Sequence, residues 1–486
     1  MSPEREAEHF VVEAPFPPDD RSLGYERGSS APKAWDEATT AAAIEAAGYI
    51  TAHLGELSGA RAKDSDRAVK VRAFCDLLVE RAFRRPLAGS ERTTYVEGPL
   101  DRAPDLETGV RRVVLLTLKS PRFLYLDLGG DRPDAYSVAS RLSFALWDSL
   151  PDSQLLDAVA SGKLFTQDRV IQQAERMLDD VRTRSKLRQF LLQWLQVEPA
   201  PELSKNKKLY PELTEGFVLD LRESLDLFLE DVVWGESSDF RQLLLSSDFF
   251  MNGRVGRYYG FDIPAEAPFQ KIQANRSQRA GVLSHPYLLA RFAYTDTSSP
   301  IHRGVFLLRS VLGRALRPPP EAFTPLAPDL HPSLSTRERV ALQTQPKACQ
   351  ACHGMINPLG FALEGFDAVG RWREEENGKA IDATGFYEPP SGETQKFCGA
   401  RELAETLAGS DEVQRAFVVK LFHELVKQPV LAFGSRTPEA LRQDFAAGGF
   451  SVRKLMVRIA VTAALSDVDF YSGYPLPIPP ELRRKS

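Results

Sequence analysis

One five-residue segment of the chain combines residue types and spacing that point to a specific chemistry. It reads Cys349-Gln350-Ala351-Cys352-His353. Two thiols separated by two residues and followed directly by an imidazole form the pattern by which c-type cytochromes attach haem covalently. The thiols add to the haem vinyl groups, and the imidazole becomes the proximal ligand of the iron. The segment therefore predicts one covalent haem c, attached through Cys349 and Cys352, with His353 as metal ligand.

The motif has two alternative interpretations. A structural zinc site would need both motif cysteines and two further ligands, for which the chain offers Cys75, Cys398 and His423. A redox-active dithiol is typically found between a strand and a helix, as in thioredoxin, and the sequence around the motif lacks that setting. Cys75 and Cys398 could also form a disulfide in an oxidising compartment. These alternatives stay open at the level of sequence.

The elements that position the motif are predicted to be mainly helical. Apolar residues recur at three- and four-residue intervals in segments 40–57, 67–83, 107–118, 135–150, 182–195, 216–233, 304–312, 411–425, 438–445 and 452–465. We expect a mainly α fold of multi-helix domains, with a cytochrome c-like haem segment and one small β-hairpin within residues 371–387.

Composition shifts divide the chain. Stretches rich in Pro, Gly and polar residues at 10–35, 259–278 and 317–333 are predicted to be linkers. The predicted domains are a partial N-terminal region with linker at 1–60, helical domains at 61–130 and 131–262, a segment with the haem motif at 278–394, and a C-terminal helical domain at 395–486.

Composition also excludes several classes of function. Among 486 residues, 43% are hydrophobic and 26% charged, as in ordinary soluble globular proteins. With a net charge of −5, the chain has no basic field that would favour nucleic acid. No apolar run approaches the roughly 18 residues of a membrane-spanning helix.

The first ten residues, MSPEREAEHF, lack the features of an export signal. Covalent haem attachment in bacteria follows export, so we expect that the given chain begins downstream of a removed signal. The predicted location is the periplasm or another exported location.

Beyond the five-residue motif, the run 349–373 resembles the haem-motif segment of a broad family of exported bacterial proteins. These proteins are built from serial domains of unknown function, noted in planctomycetes together with cytochrome c domains and also common in myxobacteria. Earlier blocks keep the family order: RAFRRPL at 81–87, ASRLSFALWDSLPD at 139–152, RAGVLSH at 279–285, SPIHRG at 299–304 and PPP at 318–320. The resemblance implies a C-terminal c-type haem segment and an export signal upstream.

Two positions depart from the family pattern. Asn357-Pro358 stands where relatives usually have Asp-Pro, and Gln343 stands where many have histidine. The resemblance therefore carries no role in ligation or proton handling over to either position.

Further site residues are predicted from their chemistry. Arg371 and Arg373 could pair with haem propionates, because a guanidinium matches a carboxylate in bidentate geometry; alternatively, both face solvent beside their acidic neighbours. His302 is the first candidate for the second axial ligand, since it opens a predicted helix next to Arg303. The other candidates are His285, His423, Met251 and Met456, and the position could also be open.

The predicted function is that of an exported c-type haem oxidoreductase of peroxidase- or oxygenase-like type. Such a chain is far longer than an electron carrier needs, and the haem would supply the redox chemistry while the protein sets ligation and access. His285, His302 or Arg303 would assist oxygen–oxygen chemistry. The expected partner is a redox protein or a small-molecule substrate. Two alternatives are an electron-transfer cytochrome and a binding or scaffold protein stabilised by zinc or a disulfide.

Overall fold

A computed structural model describes residues 10–19, 32–126, 133–164, 166–197, 203–316, 333–390 and 392–466. The described part is mainly helical, which confirms the predicted mainly α class. Its helices are α1 (Lys33–Ala52), α2 (Leu54–Ser58), α3 (Arg67–Phe83), α4 (Gly89–Arg92), α5 (Gly98–Asp101), α6 (Leu106–Leu118), α7 (Pro121–Leu124), α8 (Ala135–Trp147), α9 (Ser153–Ala160), α10 (Gln167–Leu178), α11 (Val181–Trp194), α12 (Glu215–Trp234), α13 (Gln242–Leu245), α14 (Gly253–Tyr258), α15 (Pro286–Arg291), α16 (Pro300–Phe306), α17 (Thr336–Gln343), α18 (Lys347–Phe361), α19 (Gly399–Ala408), α20 (Asp411–Val426), α21 (Thr437–Ala447) and α22 (Val452–Ala464).

Several helix bounds follow the predicted apolar periodicity, and two segments differ. The segment predicted at 40–57 forms α1, which begins at Lys33, and the short α2. The segment predicted at 304–312 begins four residues earlier, at Pro300. Ser299 caps this helix, because its hydroxyl accepts a hydrogen bond from the His302 amide at 3.3 Å, and proline is favoured at the first helical position. After α16 the chain continues as a π-helical turn over Leu307–Val311.

The described strands form three antiparallel pairs. They are β1 (Asp248–Met251) with β2 (Gln270–Gln273), β3 (Glu375–Glu376) with β4 (Lys379–Ala380), and β5 (Thr384–Tyr387) with β6 (Gln395–Cys398). The predicted hairpin is present as β3–β4, and its Asn377-Gly378 turn has positive φ at both residues, as a tight hairpin turn requires.

Two of the predicted linkers have different outcomes. The stretch at 259–278 contains β2, whose residues pair with β1 in the order Phe249 with Ile272 and Phe250 with Lys271. It is therefore part of a folded unit, and its prediction as a linker is wrong. Most of the proline-dense stretch predicted at 317–333 lies outside the described residues.

The chain divides into two compact units. The first comprises Met1–Thr183, His423–Pro429 and Val457–Ser486, and the second comprises Arg184–Phe422 and Val430–Met456. In the described part of the chain, no helix is both long and apolar enough to cross a membrane.

Cys75 belongs to the hydrophobic core of the first unit. It is 1% exposed among residues of α3 and α6 such as Val71, Val79 and Val110. Burial raises the pKa of its thiol to about 12, so the sulfur is a neutral core group rather than a metal ligand. All four cysteines are free thiols, and the suggested pairing of Cys75 with Cys398 is not formed.

The second unit has an aromatic core that fixes the surroundings of α16. The Phe240 and Phe417 ring centroids lie 4.3 Å apart, and Phe445 packs 5.8 Å from Phe240. Trp194 donates its indole N–H to the Ser310 carbonyl at 2.7 Å. This bond ties the π-helical turn that follows α16 to the core.

Helices α16 and α18 approach each other closely through two glycines. A Cβ built at Gly360 would overlap the carbonyl oxygen of Pro300, and one built at Gly304 would overlap the carbonyl oxygen of Ile356. Since Pro300 faces Gly360 and Gly304 faces Ile356, the two helices run antiparallel with their backbones in contact. The second half of α18 is thereby held in a fixed place.

Candidate haem-attachment site

The cysteines and the histidine of the motif lie on one face of α18. Helical spacing of about 100° per residue places Cys349, Cys352 and His353 within one sector. Ile356 and Gly360 lie in the same sector further along the helix, where they pack against α16. The second half of this face is buried, whereas the first half carries two free thiols, of which Cys352 is exposed and Cys349 half-buried.

The imidazole of His353 is anchored by a chain of hydrogen bonds. Its Nδ1 lies 3.0 Å from Oδ1 of Asn357, one helical turn later. Asn357 Nδ2 donates to the Thr344 hydroxyl at 2.9 Å, and this hydroxyl donates to the Val340 carbonyl at 2.8 Å. Asn357 is 7% exposed and Thr344 3%, so little water competes for these bonds.

Two large apolar side chains close to the motif in sequence are exposed in the described structure. Leu342 of α17 is 48% exposed and Met355 of α18 is 39% exposed. Arg314 lies at the edge, with Nη1 3.8 Å from the Met355 sulfur, and is held by Glu412 at 2.6 Å. Two accessible thiols and an adjacent imidazole are the groups through which a covalently attached haem is held, so the residues present fit haem.

In the described part of the chain, the ligands that a zinc site would need are not brought together. Among the described residues, no group of three or more His, Cys, Asp or Glu side chains is placed to hold a metal ion. A structural zinc site normally takes four such ligands, and Cys75, one of its candidates, is buried in the core of the first unit.

The two arginines predicted to bind propionates are engaged elsewhere. Arg371 donates to Asp367 at 2.8 Å and stacks on Tyr210 and Tyr258, with 5.4 Å and 5.6 Å to the ring centroids. Arg373 bonds to Glu364, as described below. Both contacts lie beyond the C-terminal end of α18, whereas the motif lies at its N-terminal end. The structure therefore does not bring these arginines together with the motif.

Arg303 also belongs to a network of buried charged side chains. Arg303 is 1% exposed and donates to the carbonyls of Leu363 and Asp367, both at 2.7 Å. Glu364, 2% exposed, lies 3.5 Å from Arg303 and 3.0 Å from Arg373. Burial lowers the pKa of Arg303 to about 10 and raises the pKa of Glu364. Arg303 thus fixes the loop after α18, and its role in oxygen–oxygen chemistry stays a prediction.

His302, the first candidate for the second axial ligand, points away from the motif. Pro300 and Gly304 face α18, and His302 lies about 200° around α16 from Pro300, on the opposite side. Its ring packs edge-on against Tyr294, with 5.0 Å between centroids. Partial burial, then the charges of Arg291 and Lys205, lower its pKa. The prediction of His302 as a metal ligand is therefore not supported.

The other candidates for the second axial ligand are two methionines and two histidines. Met251 of β1 and Met456 of α22 are both fully buried, and His423 belongs to α20. His285 is fully buried and uses both ring nitrogens: Nδ1 accepts from the Tyr287 amide, and Nε2 lies 3.3 Å from the Ser224 hydroxyl. A histidine with both nitrogens in use has no lone pair for iron.

Because His285 is buried, we expect the free energy of unfolding to depend on pH. Burial, reinforced by Arg279, lowers the pKa of its imidazole to about 3, against about 6.5 in an unfolded chain. Below about pH 6.5 the unfolded chain therefore takes up a proton that the folded chain does not. As the pH is lowered from about 6.5 to about 3, the protonation of this group in the unfolded chain should reduce the free energy of unfolding by about 1.4 kcal/mol per pH unit.

The variant His285→Asn tests this slope, since its side-chain oxygen can still accept the Tyr287 amide. We expect the variant to have a lower free energy of unfolding than the wild type at about pH 8. Below about pH 6.5 this difference should shrink by about 1.4 kcal/mol per pH unit. Urea unfolding of the full chain at a series of pH values measures it. Parallel profiles for the two proteins would contradict the prediction.

Sequence reasoning missed the residues that support His353. It assigned no role to Asn357, because the position departs from the family pattern, and it did not consider Thr344. The available signal was spacing: Asn357 follows His353 by four residues and so lies on the same side of a helix. Thr344 carried no such signal, since it reaches Asn357 from the end of α17.

Two known families match parts of the chain. Residues 134–261 match PSD4, a protein of unknown function (DUF1592), and residues 279–376 match PSCyt3, a protein of unknown function (DUF1588). The chain therefore carries two domains of unknown function in series, and the second matched range contains the Cys349–His353 motif. No curated protein and no solved structure matches the chain.

Proposed function

We propose that the chain is a c-type haem protein with one haem attached through Cys349 and Cys352 and with His353 as proximal ligand. One observation carries the proposal: both thiols are free and share a face of α18 with an imidazole whose Nδ1 is already anchored. In the described part of the chain, Nε2 of His353 makes no hydrogen bond and is available to a metal. The motif lies within residues 279–376, which match PSCyt3, a protein of unknown function (DUF1588).

The favoured activity is that of an oxidoreductase of peroxidase- or oxygenase-like type. The haem, when bound, supplies the redox chemistry, and α18 holds the attachment groups on a fixed backbone. Such an activity would need the second axial position to be open to a small-molecule substrate or oxidant.

An electron-transfer cytochrome is the second candidate, and the exposure of the motif favours it. Cys352 and Met355 are exposed, and Cys349 and His353 are half-buried. A group attached there would lie near a surface that a redox partner protein can reach. As thioether-linked haem forms after export, we infer a periplasmic or other exported location for either activity.

The test begins with the denatured pyridine haemochrome spectrum of the full chain, produced in the periplasm with the cytochrome c maturation system. We expect about one thioether-linked haem per chain. A folded protein that carries no covalent haem under these conditions would overturn the proposal.

The native spectrum then separates the two activities. High-spin iron is expected if the second axial position is open and the protein is an oxidoreductase. Low-spin, six-coordinate iron would instead show two strong ligands and support the electron carrier. Binding of cyanide to the ferric protein provides a second measurement, since an open position binds it rapidly.

A further inference from the structure

The hydrogen bonds around His353 have a fixed direction, which can be derived from their far end. The Val340 carbonyl can only accept a hydrogen bond, so the Thr344 hydroxyl must donate its proton to that carbonyl. The same hydroxyl oxygen is then an acceptor for Asn357, and the amide must present its Nδ2 to it. The other end of the amide, Oδ1, therefore faces His353.

This direction determines the tautomer of the histidine. An amide oxygen carries no proton, so the 3.0 Å contact requires the proton to be on Nδ1 of His353. In the neutral ring, Nε2 is then left with its lone pair. The tautomer of an imidazole is set by the hydrogen bond that its other nitrogen makes, and a metal-binding histidine normally donates that other N–H to a fixed acceptor.

We propose that Asn357, oriented by Thr344, is the positioning residue that holds His353 in the Nδ1–H tautomer with Nε2 presented to iron. The tautomer follows from the folded chain alone, whereas its consequence for iron rests on the proposed function. Asn357 is a neutral acceptor, and a carboxylate at the same place would draw the Nδ1 proton more strongly. The amide therefore sets a moderate basicity for the ligand.

The position of Asn357 in α18 supports a dedicated role. The residue is buried in the second half of α18, and its amide joins Thr344, at the end of α17, to His353, one helical turn earlier in α18. Pro358 follows directly and cannot donate a backbone N–H to the carbonyl of Gly354. A side-chain bond from Asn357 to His353 therefore links the two halves of the helix where the backbone ladder is interrupted.

The first experiment needs no haem. Long-range proton–nitrogen NMR of the cofactor-free full chain, labelled with ¹⁵N at histidine, reports the tautomer of each ring at about pH 8.5, above the ordinary histidine pKa of about 6.5. His353→Gln identifies the signal of His353. We expect the Nδ1–H tautomer in the wild type and a shift of the population towards Nε2–H in Asn357→Leu.

Thr344→Val provides an independent variant, because it removes the acceptor that orients the amide while keeping the side-chain shape. We expect it to shift the His353 tautomer in the same direction as Asn357→Leu. Thr406→Val is the matched control: Thr406 also bonds a carbonyl four residues earlier, at 2.8 Å, and its replacement should leave the His353 signal unchanged. A wild-type His353 in the Nε2–H form would overturn the proposal whether or not the chain binds haem.

The second experiment uses the haem-loaded protein. We expect the reduction potential to fall in Asn357→Asp and to rise in Asn357→Leu, with the wild type between them, while all three retain covalent haem. Equal potentials in the three proteins would refute the positioning role and leave haem attachment intact. Absence of haem from the wild type would instead refute the proposed function and leave the tautomer result standing.

Discussion

Replacing both Cys349 and Cys352 by serine is expected to reduce covalently bound haem from about one per chain to none. Thioether bonds form only at these two thiols, because serine cannot make the bond and the remaining cysteines lie elsewhere in the chain. Each single variant, Cys349→Ser or Cys352→Ser, retains at most one thioether, which would move the haemochrome band to longer wavelength. Haem staining after denaturing electrophoresis and the pyridine haemochrome spectrum measure the result.

Cys398→Ser is the matched control for the double variant. Cys398 is an exposed, free thiol on β6, as accessible as Cys352 but outside the motif. Its replacement should leave about one haem per chain. Since neither motif sulfur makes a hydrogen bond within the described residues, the double variant should keep its helical circular dichroism, which excludes misfolding as the cause. Covalent haem in the double variant would contradict the assignment.

The helical architecture was largely predictable from sequence. Segment 67–83 coincides with α3, and 411–425 agrees with α20 to within one residue, because both helices bury one apolar stripe at the helical period. The strand pair β1–β2 was not predicted. β2 has the sequence Gln-Lys-Ile-Gln and is mostly exposed, so no apolar alternation marks it, and its pairing comes from β1, some twenty residues earlier.

The candidate site also has a part that was predictable from sequence and a part that was not. The local part, Cys349, Cys352 and His353, was identified from its spacing. The structure shows that these residues share one face of α18, a helix that was not among the predicted segments, and haem binding itself remains a prediction. The long-range part was not predictable. Arg303 and Glu364 are sixty-one positions apart in sequence yet form one buried ion pair, and His302 is turned from the motif only because Gly304 fixes which side of α16 meets α18.

The two halves of α18 therefore differ in how closely they are packed. In the first half, Cys352 is exposed and Cys349 and His353 are half-buried. The second half is in close contact with two elements: α16 packs against it through Gly304 and Gly360, and β5 packs against it where Gly385 meets the Pro358 carbonyl. Backbone contact without intervening side chains leaves little freedom for tilting, so the buried half determines where the attachment groups stand.

Gly360→Ala is expected to destabilise the packing of α18 by about 3 kcal/mol, at the upper end of what overpacking costs. Alanine is ordinarily the better helix former, but here its Cβ would overlap the Pro300 carbonyl, a backbone group that cannot rotate away. Gly304→Ala should act in the same direction through Ile356. Because transitions of a chain with two units need not coincide, hydrogen exchange of peptides from α16 and α18 is the suitable measurement.

Gly354→Ala on the same helix is the matched control and should have the opposite sign. A Cβ at Gly354 meets no atom within 4 Å, so the substitution should stabilise α18 by about 0.5–1 kcal/mol through the reduced entropy of the unfolded chain. The two alanines differ only in what their Cβ atoms meet, so helix propensity cannot explain opposite signs. If Gly360→Ala protected the amides of α18 as Gly354→Ala should, the close contact with α16 would be disproved. The buried half of α18 could then no longer be what places Cys349, Cys352 and His353.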